Sequence, residues 1–195
     1  RELICPLESV RAILMSPEVS GLHKTLVHIA ALTGLRVGEL HGLRFSDITF
    51  AKGIPTLRIA RQFSLARGQE DEKIDTPKTK WSHRLIPLHP ELQVALEAWR
   101  VSGWRQHVGR EPTGNDFILP DTKGQPYRED RADWFRTILE SVGAPTTYEG
   151  HPLGPGALRK TFMTAAMEAD VAEGVRRRLL GHGPSNTAER SYELK

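Results

Sequence analysis

One cysteine, Cys5, occurs in the 195 residues. A disulfide needs two and a cysteine-cluster metal site needs more, so neither framework is available within the chain. A reducing cytosol is the expected setting. Long apolar runs are also lacking. None approaches the roughly 20 residues of a membrane span, and no secretory signal is visible. Charge of one sign is scarce too: 27 Lys and Arg stand against 24 Asp and Glu, a net charge of +3. Such an excess does not mark a nucleic-acid binder by itself, so any basic face must be local. No His-Glu-x-x-His occurs, and His23 and His28 are five apart, poor spacing for one helix face. No metal and no cofactor is expected. Internal repeats and low-complexity segments are absent.

The length suits one domain with a sizeable core. Helical periodicity dominates. Pro6 at a first-turn position opens a helix over Leu7 to Met15. Ser20 caps a second, with Leu22, Leu26, Ile29 and Leu32 recurring at three and four, and Gly34 fits its end. Arg36 then emerges just past a helix terminus, and a short helix covers Val37 to Leu43. The period changes at Ile54 to Ala60, where alternation predicts a strand. Arg67 to Asp75 reads as a polar loop or hairpin arm. Arg84-Leu85-Ile86-Pro87-Leu88 reads as another strand, with Lys78 to Ser82 near the hairpin tip.

Pro90 starts a helix with Leu92, Leu96 and Trp99 on one face. Gly109 to Asn115 is a loop, Phe117 to Pro120 a short buried segment, and Thr122 to Gln125 a turn. A helix over Arg131 to Val142 turns Phe135, Ile138 and Val142 inward and closes at Gly143. Leu158, Phe162, Ala165 and Ala169 form a further apolar stripe. Val175 and Leu179 mark a short helix ending at Gly181. The Pro/Gly-rich segment His151 to Gly156 is expected to be a loop within the domain. These elements predict an α+β fold, mainly α with a small antiparallel β-sheet.

The chemistry-bearing residues fall in a definite order. Thr33-Gly34-Leu35-Arg36-Val37-Gly38-Glu39-Leu40 comes first, then Ala157-Leu158-Arg159-Lys160-Thr161-Phe162, then Leu179-Leu180-Gly181-His182, with Tyr192 ten residues later. Two arginines, an imidazole and a phenol in this order suit a phosphodiester substrate. Planar guanidinium groups pair with non-bridging phosphate oxygens and stay charged at working pH. Cations fixed where charge develops are usually the largest catalytic contribution. A phenol, with an ordinary pKa near 10, needs such charge and a proton acceptor before it attacks phosphorus.

This constellation resembles the catalytic domain of the tyrosine recombinases, the phage-integrase family, from about Leu7 to Tyr192. The resemblance implies a single catalytic domain over residues 1–195. It also implies an excised fragment, because the chain begins with Arg1 and lacks the family's usual N-terminal DNA-clamping domain. It implies cleavage and rejoining of double-stranded DNA through a 3′-phosphotyrosyl bond, with Tyr192 as nucleophile and no ATP requirement. Arg36 and Arg159 would clamp the phosphate, and His182 would bond it and handle the tyrosine proton. Glu39, three residues after Arg36, matches the family's structural acid.

The family's hairpin lysine, which protonates the leaving 5′ oxygen, has two candidates. Spacing back from Ile86-Pro87-Leu88 favours Lys78; Lys80 would share its strand face. The departure from the pattern is Gly156, where relatives carry His or Lys three residues before the second arginine. His151, Lys160 or a water would then substitute, or cleavage is impaired. A DNA-binding relative without cleavage and a type IB topoisomerase-like nickase are the competing activities. The resemblance further implies a homotetramer on synapsed DNA, a monomer for this fragment alone, and work in the cytoplasm at the nucleoid, with no membrane contact.

Overall fold

The computed structural model describes residues 3–64, 73–75, 80–127 and 133–183. Lys78 and Tyr192 therefore lie outside the described residues. Helices α1 (Leu7–Met15), α2 (Gly21–Thr33) and α3 (Val37–His41) come first. Strands β1 (Ile48–Ala51), β2 (Ile54–Ile59), β3 (Gln62–Ser64), β4 (Lys73–Asp75) and β5 (Arg84–Pro87) follow, with a 3₁₀ turn, Lys80–Ser82, ahead of β5. Next come α4 (Pro90–Ala98), α5 (Trp104–Val108) and α6 (Trp134–Ser141), then the short strands β6 (Thr147–Tyr148) and β7 (His151–Pro152). Helices α7 (Gly156–Glu168) and α8 (Glu173–Leu179) close the described chain. The predicted α+β class holds.

Helix α2 is the central post. Ser20 caps it by accepting from the His23 backbone N–H at 3.2 Å. Leu22, Leu26, Val27, Ile29 and Ala30 are buried, and α1, α3, α4 and α7 all pack on it. Gly34 ends it at φ +63°, a left-handed conformation that costs glycine nothing. A Cβ at Gly34 would also lie 2.5 Å from the Phe162 ring, so α7 approaches too closely for a side chain there.

Strand β2 is the middle of an antiparallel sheet ordered β1-β2-β5. The register sets Leu57 opposite both Ile48 and Ile86, and Ile59 opposite Arg84. Leu57, Ile59 and Ile86 are buried on the core face. Period-two alternation therefore carries Arg84 inward as well, and Leu85 and Pro87 outward.

Several boundaries differ from the sequence expectations. Helix α3 stops at His41 rather than Leu43, because Gly42 and Leu43 donate to carbonyls three residues back and tighten the turn. Strand β1 was not expected, and His151–Pro152 is a strand rather than loop. Both belong to hairpins whose two turn residues have positive φ: Lys52 and Gly53 at 52° and 78°, Glu149 and Gly150 at 48° and 78°. Lys-Gly and Glu-Gly signal such turns less clearly than Asn-Gly. Helix α6 spans Trp134–Ser141 and is shorter than Arg131 to Val142; residues 131 and 132 lie outside the described set. The α7 stripe fades: Leu158 is buried, Phe162 and Ala165 are half-buried, and Ala169 is exposed, because the helix leaves the core partway along.

A π-helical turn, Trp99–Gly103, joins α4 to α5 and was also unexpected. Residues five apart point away from each other on an α-helix. The wider turn brings Trp99 and Trp104 to one side, where their ring N–H groups donate to the Ile118 and Phe117 carbonyls at 2.7 and 2.9 Å.

His41, in α3, is buried with Nδ1 lacking a hydrogen-bond partner among the described residues. Burial pushes its pKa down to about 4 from 6.5. The folded value lies below the unfolded one, so its stabilising effect is complete above pH 6.5 and is lost as pH falls toward 4. The linkage amounts to about 2 kcal/mol between pH 7 and 5. Urea titrations at those two pH values should show this difference, and His41→Leu should remove it.

Candidate active site

Three segments build the site. The first is the junction of α2 and α3. Glu39, at the third position of α3, reaches back to accept the Arg36 backbone N–H at 2.9 Å, and the Arg36 guanidinium donates to the same carboxylate at 3.2 Å. Glu39 is 2% exposed and Arg36 44%, so the acid is sunk in the protein while the base faces outward.

The second segment is the first turn of α7. Arg159 donates to the Gly34 carbonyl at 2.5 Å and the Leu180 carbonyl at 2.7 Å. These carbonyls cap α2 and α8. The partial negative charge at two helix C-termini thus holds one guanidinium.

The third segment is the end of α8. Gly181, at φ +68°, donates to the Arg178 carbonyl, and the His182 N–H donates to the Arg177 carbonyl at 2.9 Å. This paired closure is a Schellman motif, and it fixes where His182 leaves the helix. The cap itself is Leu180 with Gly181, so the His182 side chain is left for other contacts.

His182 Nε2 lies 3.2 Å from Arg159 Nη2. A guanidinium only donates, so Nε2 accepts and the imidazole proton sits on Nδ1. Burial and then the charges of Arg159, Arg36, Arg177 and Arg84 hold the His182 pKa below its ordinary value. The neutral ring is the working form of this arrangement. Arg159 is itself pushed down to about 10, by burial first and then by Arg36, with Arg84 adding to the shift and Glu39 opposing it. Burial pulls the Glu39 carboxyl upward, but its hydrogen bonds and charge pairing with Arg84 and Arg36 outweigh that and leave it below the usual carboxylate range. Four guanidinium groups therefore act on one imidazole, with one buried acid among them. Such a centre attracts an anion that is bonded from more than one side.

Arg36, Glu39, Arg159 and His182, nominated from the sequence, are thus brought together. Gly156 is the first residue of α7 and stands one turn before Arg159. Among the described residues, nothing lies within 4 Å of where its Cβ would be. His151 is an exposed residue of β7, and Lys160 follows Arg159 on α7. Lys80 begins the turn before β5.

Two arginines were not nominated. Arg177 donates to the Gly183 carbonyl at 2.7 Å, bracing the segment that carries His182. Arg84 pairs with both oxygens of Glu39, at 2.9 and 3.0 Å. A signal for Arg84 was present: alternation puts it on the same strand face as Ile86, and a buried guanidinium requires an acid. Nothing in the spacing of Arg176, Arg177 and Arg178 singles out Arg177 as the one that bonds the Gly183 carbonyl.

Residues 8–194 match the phage integrase family. The chain belongs to that family. Among curated relatives, a XerC-like tyrosine recombinase of Caldanaerobacter subterraneus is 29% identical over 173 residues, covering 82% of this chain and 42% of the relative. Tyrosine recombinase XerD of Halalkalibacterium halodurans is 24% identical over 187 residues, covering 94% of this chain and 54% of the relative. The chain thus spans about half the length of these relatives. Among solved structures, the Tn1549 transposon integrase in complex with transposon right end DNA superposes with a TM-score of 0.69 at 22% identity, covering 96% of this chain and 62% of that one. A lambda integrase dimer bound to a COC′ core site gives 0.62 at 18% identity, covering 97% and 59%. The fold is that of the phage integrase catalytic domain.

Two further properties hold for the described residues. No helix is long and apolar enough to cross a membrane, and no group of three or more His, Cys, Asp or Glu is placed to hold a metal ion.

Proposed function

We propose that residues 1–195 form one catalytic domain of a site-specific DNA recombinase that cuts and rejoins double-stranded DNA. The observation that carries this reading is Arg159 Nη2 at 3.2 Å from His182 Nε2, beside an Arg36 braced by buried Glu39. Arg36 and Arg159 bond the non-bridging oxygens of the scissile phosphate, where charge builds in the transition state. The Tyr192 oxygen attacks phosphorus, and the bond from phosphorus to the 5′ oxygen breaks. His182 Nε2, already an acceptor, takes part in moving the tyrosine proton. Lys78, or Lys80, protonates the leaving 5′ oxygen. The phosphotyrosyl bond keeps the energy of the broken linkage, so the reverse attack by a 5′ hydroxyl rejoins the strand without ATP.

The partner is double-stranded DNA, engaged by a homotetramer on synapsed sites, while the chain alone in solution is a monomer. The compartment is the cytoplasm, at the nucleoid. No metal or cofactor enters the scheme.

The test is covalent capture on a duplex nicked beside the cleavage position, where loss of the short strand traps the adduct. A protein–DNA band resistant to denaturant is expected; DNA binding without any such band would sink strand cleavage. Binding should also weaken steeply with salt, because neutralised phosphates release counterions and each contributes about −0.9 to the slope of log K against log salt. Titrations at several salt concentrations should give a slope of about −2.7 or steeper, as three or more phosphate contacts at about −0.9 each require. A flat response would contradict a phosphate-lined face.

A further inference from the structure

We infer that Arg84 is a positioning residue of this centre, holding the Arg36 and His182 segments in register with the segment that enters β5. The inference rests on the strand-cleavage reading above. Its basis is the number and spread of bonds made by one side chain. Arg84 Nη1 and Nη2 donate to the two oxygens of Glu39 at 2.9 and 3.0 Å, Nη1 also donates to the Ser82 carbonyl at 3.0 Å, and Nε donates to the Leu179 carbonyl at 2.7 Å. Glu39 is the residue that holds Arg36. Leu179 lies three residues before His182, and Ser82 lies two after Lys80. One guanidinium thus ties together the segments that carry Arg36 and His182 and the turn that begins at Lys80.

The side chain is 3% exposed, so it acts through its neighbours and does not touch DNA. Gly181 rests against it: a Cβ there would stand 2.8 Å from Nη1. The absence of a side chain next to His182 is therefore matched to the bulk of Arg84. Lysine would keep the charge but not the fork. A single ammonium cannot donate to both carboxylate oxygens and to two carbonyls on different sides.

Three variants of the full chain test this: Arg84→Lys, Glu39→Gln, and Ile86→Val as a packing control on the same strand face. Two readouts are taken. One is the adduct-forming rate at saturating nicked duplex together with the DNA dissociation constant. The other is the NMR pH titration of the His182 imidazole, assigned with His182→Gln. Arg84→Lys is expected to lower the saturated rate about 10- to 100-fold, the scale of a misplacement near 1 Å. The dissociation constant should change by less than about threefold, since no DNA contact is removed. The His182 midpoint should move up toward its ordinary value as the segment loosens into solvent. Ile86→Val should leave rate and midpoint alone.

A parental rate and midpoint in Arg84→Lys, or an equal loss in Ile86→Val, would overturn the inference. Should Arg84→Lys fail to fold, Glu39→Gln carries the test, since it keeps the volume of the pair and weakens the same link. If the parent chain forms no adduct, the strand-cleavage reading falls by itself. The His182 midpoint still decides: a shift confined to the Arg84 and Glu39 variants supports positioning, and no shift rejects it.

Discussion

Tyr192→Phe should abolish covalent capture of nicked DNA and leave DNA binding nearly unchanged. One hydroxyl is removed, and with it the proposed nucleophile, while the contact area stays. Arg159→Ala should abolish capture too, but with a different signature. Arg159 bonds the carbonyls that close α2 and α8 and donates to His182 Nε2. Its loss deletes the proposed phosphate clamp, strands two carbonyls, and frees His182 from its guanidinium partner. DNA affinity should therefore fall, and the salt slope should become shallower by about 1 for the lost phosphate contact. Gel capture and salt-dependent binding on the same protein preparations separate the two effects. A Tyr192→Phe protein that still forms a denaturant-resistant adduct would reassign the nucleophile. Equal salt slopes for Arg159→Ala and its parent would remove Arg159 from the phosphate contacts.

Much of this candidate site was legible in the family-like motifs around Arg36, Arg159 and His182, and the placement of these residues also has a local physical reason. Arg36, Arg159 and His182 each sit at a helix end, and helix ends are written locally. Gly34 stops α2 and Gly181 stops α8 through backbone bonds to near neighbours, and Ser20 starts α2 by accepting the His23 N–H with its side-chain oxygen. The chemistry-bearing residues then follow at fixed offsets. The parts that were not legible depend on distant partners. Alternation puts Arg84 on the inward face with Ile86, but its partner Glu39 lies 45 residues away and is set by the sheet register alone. The π-helical turn at Trp99 answers to the carbonyls of Phe117 and Ile118, which no local pattern announces. Strands β1 and β7 were missed because their turns use Lys-Gly and Glu-Gly, weak versions of the usual hairpin signal.

Gly156→His should raise the cleavage rate, by up to about 10² to 10⁴-fold if the position needs a proton-transferring or phosphate-bonding imidazole. The position is one helical turn ahead of Arg159, so a side chain there points along the same face. Space exists among the described residues, none of which places an atom within 4 Å of the added Cβ. The substitution also removes the backbone freedom of a glycine at the first position of α7, a gain smaller than the about 1 kcal/mol that separates glycine from alanine in a helix interior. Gly156→Ala therefore serves as the control: it should gain thermal stability without the gain in rate. Single-turnover capture on the nicked duplex measures both. A rise in Gly156→His alone would mean that the natural chain works with one group missing. No rise, in a parent that already cleaves fast, would mean that the role is filled from elsewhere, and Lys160 and His151 become the residues to change. Two adduct-free proteins that still bind DNA would favour a non-cleaving relative, and restoring one imidazole would not have been enough to make it cut.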